Sequence, residues 1–344
     1  MSGKRIFLTG SSGVVGNRCL IRALQQGYDV IASVRTPENA NTVRRGISST
    51  VGPDLLDKLT FVIIPDIAIP DCFDDFLSEV DYIVHVASPL WTISDFSDMN
   101  HAYIQSAVNS VLSILSAAKK SKTVEKVVLC SSLAALTTNE KCLGRDIDGV
   151  AYTAESRVPD SHYQPVKAQT FEHYFAGQTL ALNATDRLVE AGLPFDVITI
   201  YPSTVLGRFE PATTTEELLA SSNARGLAAV LGKTLDPLPT SCVHVDDVAR
   251  MHIDVLGMKT GRYHNFGAGT HMSFNEQIEI AKTHFPDAVA RGIFPCDGSI
   301  PDREFLFDTS STEDFFGFQF KTFEEMVVDV AAQFLELQSP ESAS

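Results

Sequence analysis

"TGSSGVVG", residues 9–16, is the stretch on which the reading of this chain turns. It follows the short apolar run "RIFLT" at 5–9 and opens "VVGNRCLIRALQQG" at 14–27, whose apolar residues recur at helical spacing. Gly27 is placed to cap the end of that helix. A strand, a glycine turn and a helix thus follow one another at the start of the chain. In that setting each glycine has a task. Gly10 allows a tight turn, Gly13 lets a pyrophosphate approach the backbone, and Gly16 lets helix and strand pack closely. A helix N-terminus presents N–H groups and the positive end of its dipole, so a phosphate-bearing dinucleotide is the expected ligand.

The alternation continues downstream. "YDVIASV" (28–34), "LTFVII" (59–64), "YIVHVAS" (82–88), "KVVLCSS" (126–132) and "FDVITIYP" (195–202) read as strands. Residues 99–121 and 166–191 carry helical patterns, the second closed by Gly192 and Pro194. Strands alternating with helices, and apolar on both faces, predict a Rossmann-type α/β fold, a doubly wound parallel sheet. Beyond residue 203 the pattern is less regular, with "LDPLPTS", a helix near 246–257 and a last one near 322–337. This part reads as a smaller C-terminal α/β substrate-binding lobe. The expected organisation is a dinucleotide-binding domain over 1–202, with substrate-loop insertions at 88–98 and 139–165. Residues 203–338 are mainly substrate lobe with segments returning to the core, and 339–344 form a polar tail expected to be disordered.

Composition narrows the function. The chain has 344 residues, 44% hydrophobic and 20% charged, enough for a large core without staples. Its net charge of −16 argues against nucleic acid and anionic membranes as partners. No apolar run is long enough to span a membrane, and "MSGKRIFLTG" lacks the apolar segment of a signal peptide. The six cysteines show no C-x-x-C spacing and read as reduced thiols of a cytoplasmic protein. Neither an H-E-x-x-H nor a G-x-S-x-G motif occurs, so no metal is expected and a hydrolase elbow is excluded.

After the strand at 28–34 comes "SVRTPEN". A carboxylate here would serve the ribose hydroxyls of NAD. Arg35 stands there instead, and a guanidinium pairs with a 2′-phosphate, so NADP(H) is expected over NAD. Arg44 or Arg45 would add charge.

The spacing G-x-x-G-x-x-G with Thr9 before it resembles the extended short-chain dehydrogenase/reductase superfamily. So do "FVIIPDI" with Asp66, "VHVASP" (84–89), "VVLCSSLAAL" (127–136), "ITIYPSTVLG" (198–207) and "VHVDDVAR" (243–250). Together these cover most of the chain, and within the superfamily they are similar to the dihydroflavonol 4-reductase/aldehyde reductase-like group. That group reduces ketones and aldehydes with NADPH. The resemblance implies a cofactor site of Gly10, Ser12, Gly13, Val14, Val15, Gly16, Arg35, Asp66, Ile67, Ala87, Ser88 and Pro202. It also implies a catalytic Ser, Tyr and Lys. The Ser polarises the carbonyl, the Tyr donates a proton to it, and the Lys binds the ribose and lowers the Tyr pKa.

By match the Ser is Ser132, with Ser131 as the alternative, since alternation along a strand turns only one of them toward the site. Two pairs compete for the rest. "YQPVK" offers Tyr163 and Lys167, whereas "HYFAGQ" offers Tyr174 and Gln178. Pro165 falls inside the first pair, where it would break helical hydrogen bonding or mark a helix start. Tyr174 lies 28 residues before Pro202, the spacing the family shows, and Tyr163 lies 39 before it. The site is therefore expected at Tyr174, with Gln178 in the lysine position. A unit charge at about 4 Å in an effective dielectric of 20 is worth roughly 4 kcal/mol before desolvation, and glutamine does not supply it. A phenol without that help is a usable acid for reduction and a poor base for oxidation. Trp91 and Phe96 form a candidate apolar wall for the substrate, with Ser203 and Thr204 near it. The expected function is NADPH-dependent reduction of a ketone or aldehyde on a small organic substrate, with aromatic and secondary-metabolite compounds as candidates, by a monomer or homodimer. The missing lysine leaves two alternatives open. One is a non-redox cyclase, dehydratase or isomerase using Tyr174 and Ser132, and the other is a silent NADPH-binding protein.

Overall fold

The computed structural model describes residues 3–88, 103–142, 149–163 and 170–338. Trp91, Phe96, Pro165, Lys167 and the tail 339–344 lie outside the described residues. The expected parallel sheet is present. Strand β1 (Arg5–Thr9) leads into helix α1 (Val14–Gln25), followed by β2 (Asp29–Val34), α2 (Pro37–Ile47), β3 (Leu59–Ile63), β4 (Tyr82–His85), β5 (Lys126–Cys130) and β6 (Asp196–Pro202). The sheet order is β3-β2-β1-β4-β5-β6, and all five of these pairings are parallel. A seventh strand, Tyr263–Ala268, lies beyond β6. The strand order reverses between β1 and β4, which is where such folds bind ligands, beyond the carboxyl ends of the strands.

Packing explains the elements. β4 is buried at all four positions and β1 at four of five, as strands covered on both faces must be. One face carries Phe7, Ile83, Val127, Leu129 and Val197 against Ile114 and Leu115 of the Gln105–Lys120 helix. That helix packs beside Thr170–Glu190 at Gly177, where a Cβ would lie 3.2 Å from the Tyr103 ring and 3.3 Å from Ala107 Cβ. Helix α1 ends as anticipated. Gly27 takes φ +85°, and the N–H groups of Gly27 and Tyr28 reach Leu24 O and Ala23 O.

Two predicted strands are shorter than expected. The strand read at 82–88 stops at His85, because the N–H groups of Val86 and Ala87 are taken by the Thr9 hydroxyl at 3.2 and 3.1 Å. The strand read at 126–132 stops at Cys130, and Ser132 caps a single 3₁₀ turn, Leu133–Ala135.

Contacts divide the chain into two compact units. The first comprises 1–139, 154–201 and 249–266; the second comprises 140–153, 202–248 and 267–344. The second unit has a three-stranded sheet of Thr204–Leu206, Ser241–His244 and Thr270–His271. Its core joins Leu206, Leu227, Phe274 and Phe294 to Met326, Val330 and Phe334 of the Phe323–Gln338 helix. Within it the "VHVDD" stretch is structural. His244 Nε2 lies 3.2 Å from Asp329, and the Asp247 carboxylate accepts the Lys321 N–H at 2.8 Å. All six cysteines are free thiols. Among the described residues no helix is long and apolar enough to cross a membrane, and no cluster of His, Cys, Asp and Glu is suited to hold a metal ion.

Candidate cofactor and active site

The glycines of the loop separate into two kinds. Gly10 has φ +80°, and a Cβ there would lie 2.7 Å from Ala87 N. A Cβ on Gly16 would lie 2.1 Å from Gly10 O. Both are required by the chain's own packing. Gly13 is different. Its φ of −97° suits any residue, and the nearest atom to a Cβ would be Gly10 O, an ordinary 3.6 Å away. Gly13 is exposed and caps α1 without a side-chain hydrogen bond. The open face at this helix start, flanked by Ser12, Val14 and Val15, is a cradle that fits a pyrophosphate held by backbone N–H groups.

Further along the sheet edge, Arg35 is exposed directly after β2. Asp66 is exposed too, with Oδ1 accepting the Ala68 N–H at 2.8 Å, and Ile67 packs against the core. Arg44 is committed elsewhere. Its guanidinium donates to Leu59 O at 3.1 Å and lies 5.6 Å from the Phe61 ring centre. Arg35 and Arg45 are both exposed.

At the switch point, the Thr9 hydroxyl lies 3.0 Å from His85 Nδ1. It already accepts the N–H groups of Val86 and Ala87, so its own proton goes to Nδ1. His85 is therefore neutral with its proton on Nε2, and burial pushes its pKa down to about 4. The bonds from Thr9 hold Ala87 against Gly10. Neither residue's role was assigned from sequence; the available signal was two polar residues, Thr9 and His85, ending otherwise apolar strands.

Tyr174 and Gln178 both lie on the Thr170–Glu190 helix, one turn apart. Tyr174 is partly exposed, with its ring centre 6.4 Å from that of Tyr103. Gln178 is 7% exposed and donates from Nε2 to Ser88 Oγ at 3.3 Å. The helix is held to the Leu133–Ala135 turn by Thr179 Oγ1 donating to Ala135 O at 3.4 Å. Ser132 Oγ accepts the Ala134 N–H at 3.2 Å. Ser131 lines a small, partly open cavity of about 30 Å³ with His85, Ser88, Gln178 and Thr199. The alternative Tyr163 is buried at the end of a 3₁₀ turn, Asp160–Tyr163, ahead of the helix. His173 is buried at 3% exposure. The structure thus brings together Ser88, Ser131 and Gln178 in one unit with the glycine loop. Pro202, Ser203 and Thr204 belong to the second unit, where the Ser203 N–H bonds Ala268 O at 2.8 Å.

Comparison with known proteins agrees with this architecture. The model of the NAD dependent epimerase/dehydratase family matches residues 6–267. The chain is 34% identical over 348 residues to ketoreductase CTB6 of Cercospora nicotianae, covering 98% of this chain and 96% of that protein. Among solved structures it superposes on Gre2 of Candida albicans in complex with NADPH, with a TM-score of 0.78, 20% identity and coverage of 98% and 100%. Vestitone reductase from alfalfa (Medicago sativa) gives a TM-score of 0.73 at 24% identity, covering 96% of this chain and 98% of that one. With its glycine loop, parallel sheet and matched span in accord, the chain belongs to the NAD dependent epimerase/dehydratase family, the extended short-chain dehydrogenases/reductases.

Proposed function

We propose that this protein is an NADPH-dependent reductase of a ketone or aldehyde on a small organic substrate. The observation that carries the reading is the pairing of two features within one unit. One is a glycine cradle at the start of α1, with Arg35 exposed directly after β2. The other is the helix that carries Tyr174 and Gln178. The ketoreductase relative and the NADPH bound to the Candida protein support the same chemistry.

The residues that would hold NADP(H) are the backbone of Gly13 to Gly16, Arg35 at the 2′-phosphate, Asp66 and Ile67 toward the adenine, and Ala87, Ser88 and Gln178 toward the ribose. When bound, the cofactor supplies the hydride. Ser132 orients and polarises the carbonyl oxygen. Tyr174 donates the proton to that oxygen as negative charge develops on it. Gln178, fixed by Ser88, offers amide hydrogen bonds to a ribose hydroxyl and adds no positive charge beside the phenol. The direction favoured is therefore reduction, because a phenol that keeps its proton is an acid and not a base.

The same neutral Gln178 favours one second reading, acid–base chemistry by Tyr174 and Ser132 without net hydride transfer. The two are separated by following NADPH absorbance at about 340 nm and product formation together. The test uses a panel of ketones and aldehydes, for wild type and Gln178→Lys side by side. NADPH consumption matching product in wild type supports the reductase. Product without NADPH loss supports the second reading. Turnover only in the Lys variant shows a silenced reductase and refutes the proposal.

A further inference from the structure

The cavity beneath Gln178 contains a buried donor that the catalytic roles above leave unused. His85 is 2% exposed, and its Nε2 has no hydrogen-bond partner among the described residues. The bonding of Thr9 places the ring proton on that nitrogen, as argued above. The same cavity is lined by Ser88, Ser110, Ser131, Gln178 and Thr199. Thr199 is also 2% exposed, and its hydroxyl, which faces the Tyr263 phenol as a donor, keeps lone pairs that can accept. A volume of about 30 Å³ accepts one water, at most two. A water needs two to four polar partners to be held in place, and these walls offer them.

We propose that His85 is a positioning residue, which through one buried water fixes the side chain of Gln178 for the cofactor ribose. His85 Nε2–H donates to the water oxygen, and the water donates in turn to the Thr199 hydroxyl and to the Gln178 amide oxygen. One N–H of Gln178 Nε2 goes to Ser88 Oγ and the other is left for a ribose hydroxyl, so the amide oxygen is the atom that accepts from the water. A neutral donor suits this place. Next to the neutral Gln178 it adds no charge, and it lets a hydrogen-bonding chain run from Thr9, at the foot of the glycine loop, to the helix that carries Tyr174. This inference rests on the reading of Gln178 as a cofactor residue.

Two measurements test it. The first is a crystal structure of the unliganded wild type, at a resolution that shows ordered waters. Density within hydrogen-bond distance of both His85 Nε2 and a Gln178 amide atom is expected. A dry cavity, or a water touching only one of them, overturns the proposal, whatever the protein does to carbonyls. The second is the dissociation constant for NADPH, read by fluorescence without turnover, for His85→Phe, Gln178→Ala and the double variant. Each single change is expected to weaken binding about tenfold, and the double no further, because both break one chain. Multiplying effects, or an unchanged constant in His85→Phe, refute the link. His85→Gln, which returns an N–H near the Nε2 position, recovers binding if the donor matters, and stays weak if only ring packing does. It also serves if the Phe variant fails to fold. Wild type that binds no NADPH refutes the functional reading instead, and the crystal measurement then decides this one alone.

Discussion

Gly13→Ala separates the ligand's demand from the fold's demand within one loop. In the structure a Cβ on Gly13 would have 3.6 Å to its nearest neighbour, Gly10 O, and φ there is −97°. Alanine is a weaker helix cap than glycine, which costs a few tenths to about 1 kcal/mol. The lost freedom of the unfolded chain returns about 0.4–1 kcal/mol. The two nearly cancel, so thermal stability should stay within about 1 kcal/mol of wild type. The new methyl projects into the open face where the pyrophosphate would meet the helix N-terminus. Losing one hydrogen bond to a charged group costs about 1.5–3 kcal/mol, which is roughly a 10- to 150-fold weaker NADPH. Gly16→Ala makes the contrast, because its Cβ would sit 2.1 Å from Gly10 O and must push helix from strand. That variant should lose about 1–3 kcal/mol or more of stability. The assay is thermal unfolding of each apo variant beside an NADPH titration. Gly13→Ala binding NADPH like wild type, or unfolding as early as Gly16→Ala, would refute the reasoning.

Two further outcomes follow from the same site. Arg35→Ala should weaken NADPH by roughly 10- to 150-fold, on the same 1.5–3 kcal/mol for a charge-assisted contact, while leaving NADH unchanged; an equal loss for both cofactors would show that Arg35 does not meet a 2′-phosphate. Burial lowers the His85 pKa from 6.5 to about 4, so the unfolded chain binds the extra proton first as pH falls. Its contribution to stability is complete above about pH 6.5 and is lost as pH drops toward about 4, by about 3 kcal/mol in all. Denaturant unfolding at pH 7 and pH 4.5 should show the wild type losing more stability than His85→Phe, which lacks this titration. Equal losses in the two proteins would mean that His85 is not held neutral in the fold.

Much of this molecule was legible in short windows of residues. The turn "TGSSGVVG" and the helix after it are decided by contacts a few residues apart, so their periodicity and glycines announced them. The same holds for the apolar strands, whose burial on both faces leaves no polar alternation, and for the Gly27 cap. That Gln178 stands one helical turn from Tyr174 was visible from their spacing of four residues.

What the windows did not carry depends on atoms far apart in the chain. Gly10 is obligatory because Ala87 lies against it, and Gly16 because Gly10 O does. β4 ends at His85 because a hydroxyl 77 residues before Val86 captures the next amide. The strand Tyr263–Ala268, "YHNFGA", has too much polarity and glycine to stand out, yet it extends the sheet beyond β6. Arg44 donates to a carbonyl of β3 that no local pattern pairs with it. Hydrophobic periodicity records which face of an element is buried; which polar groups meet there is a matter of long-range register. The tautomer of His85 and the cavity it shares with Gln178 are products of that register, set only once β1, β4 and the Thr170–Glu190 helix have packed.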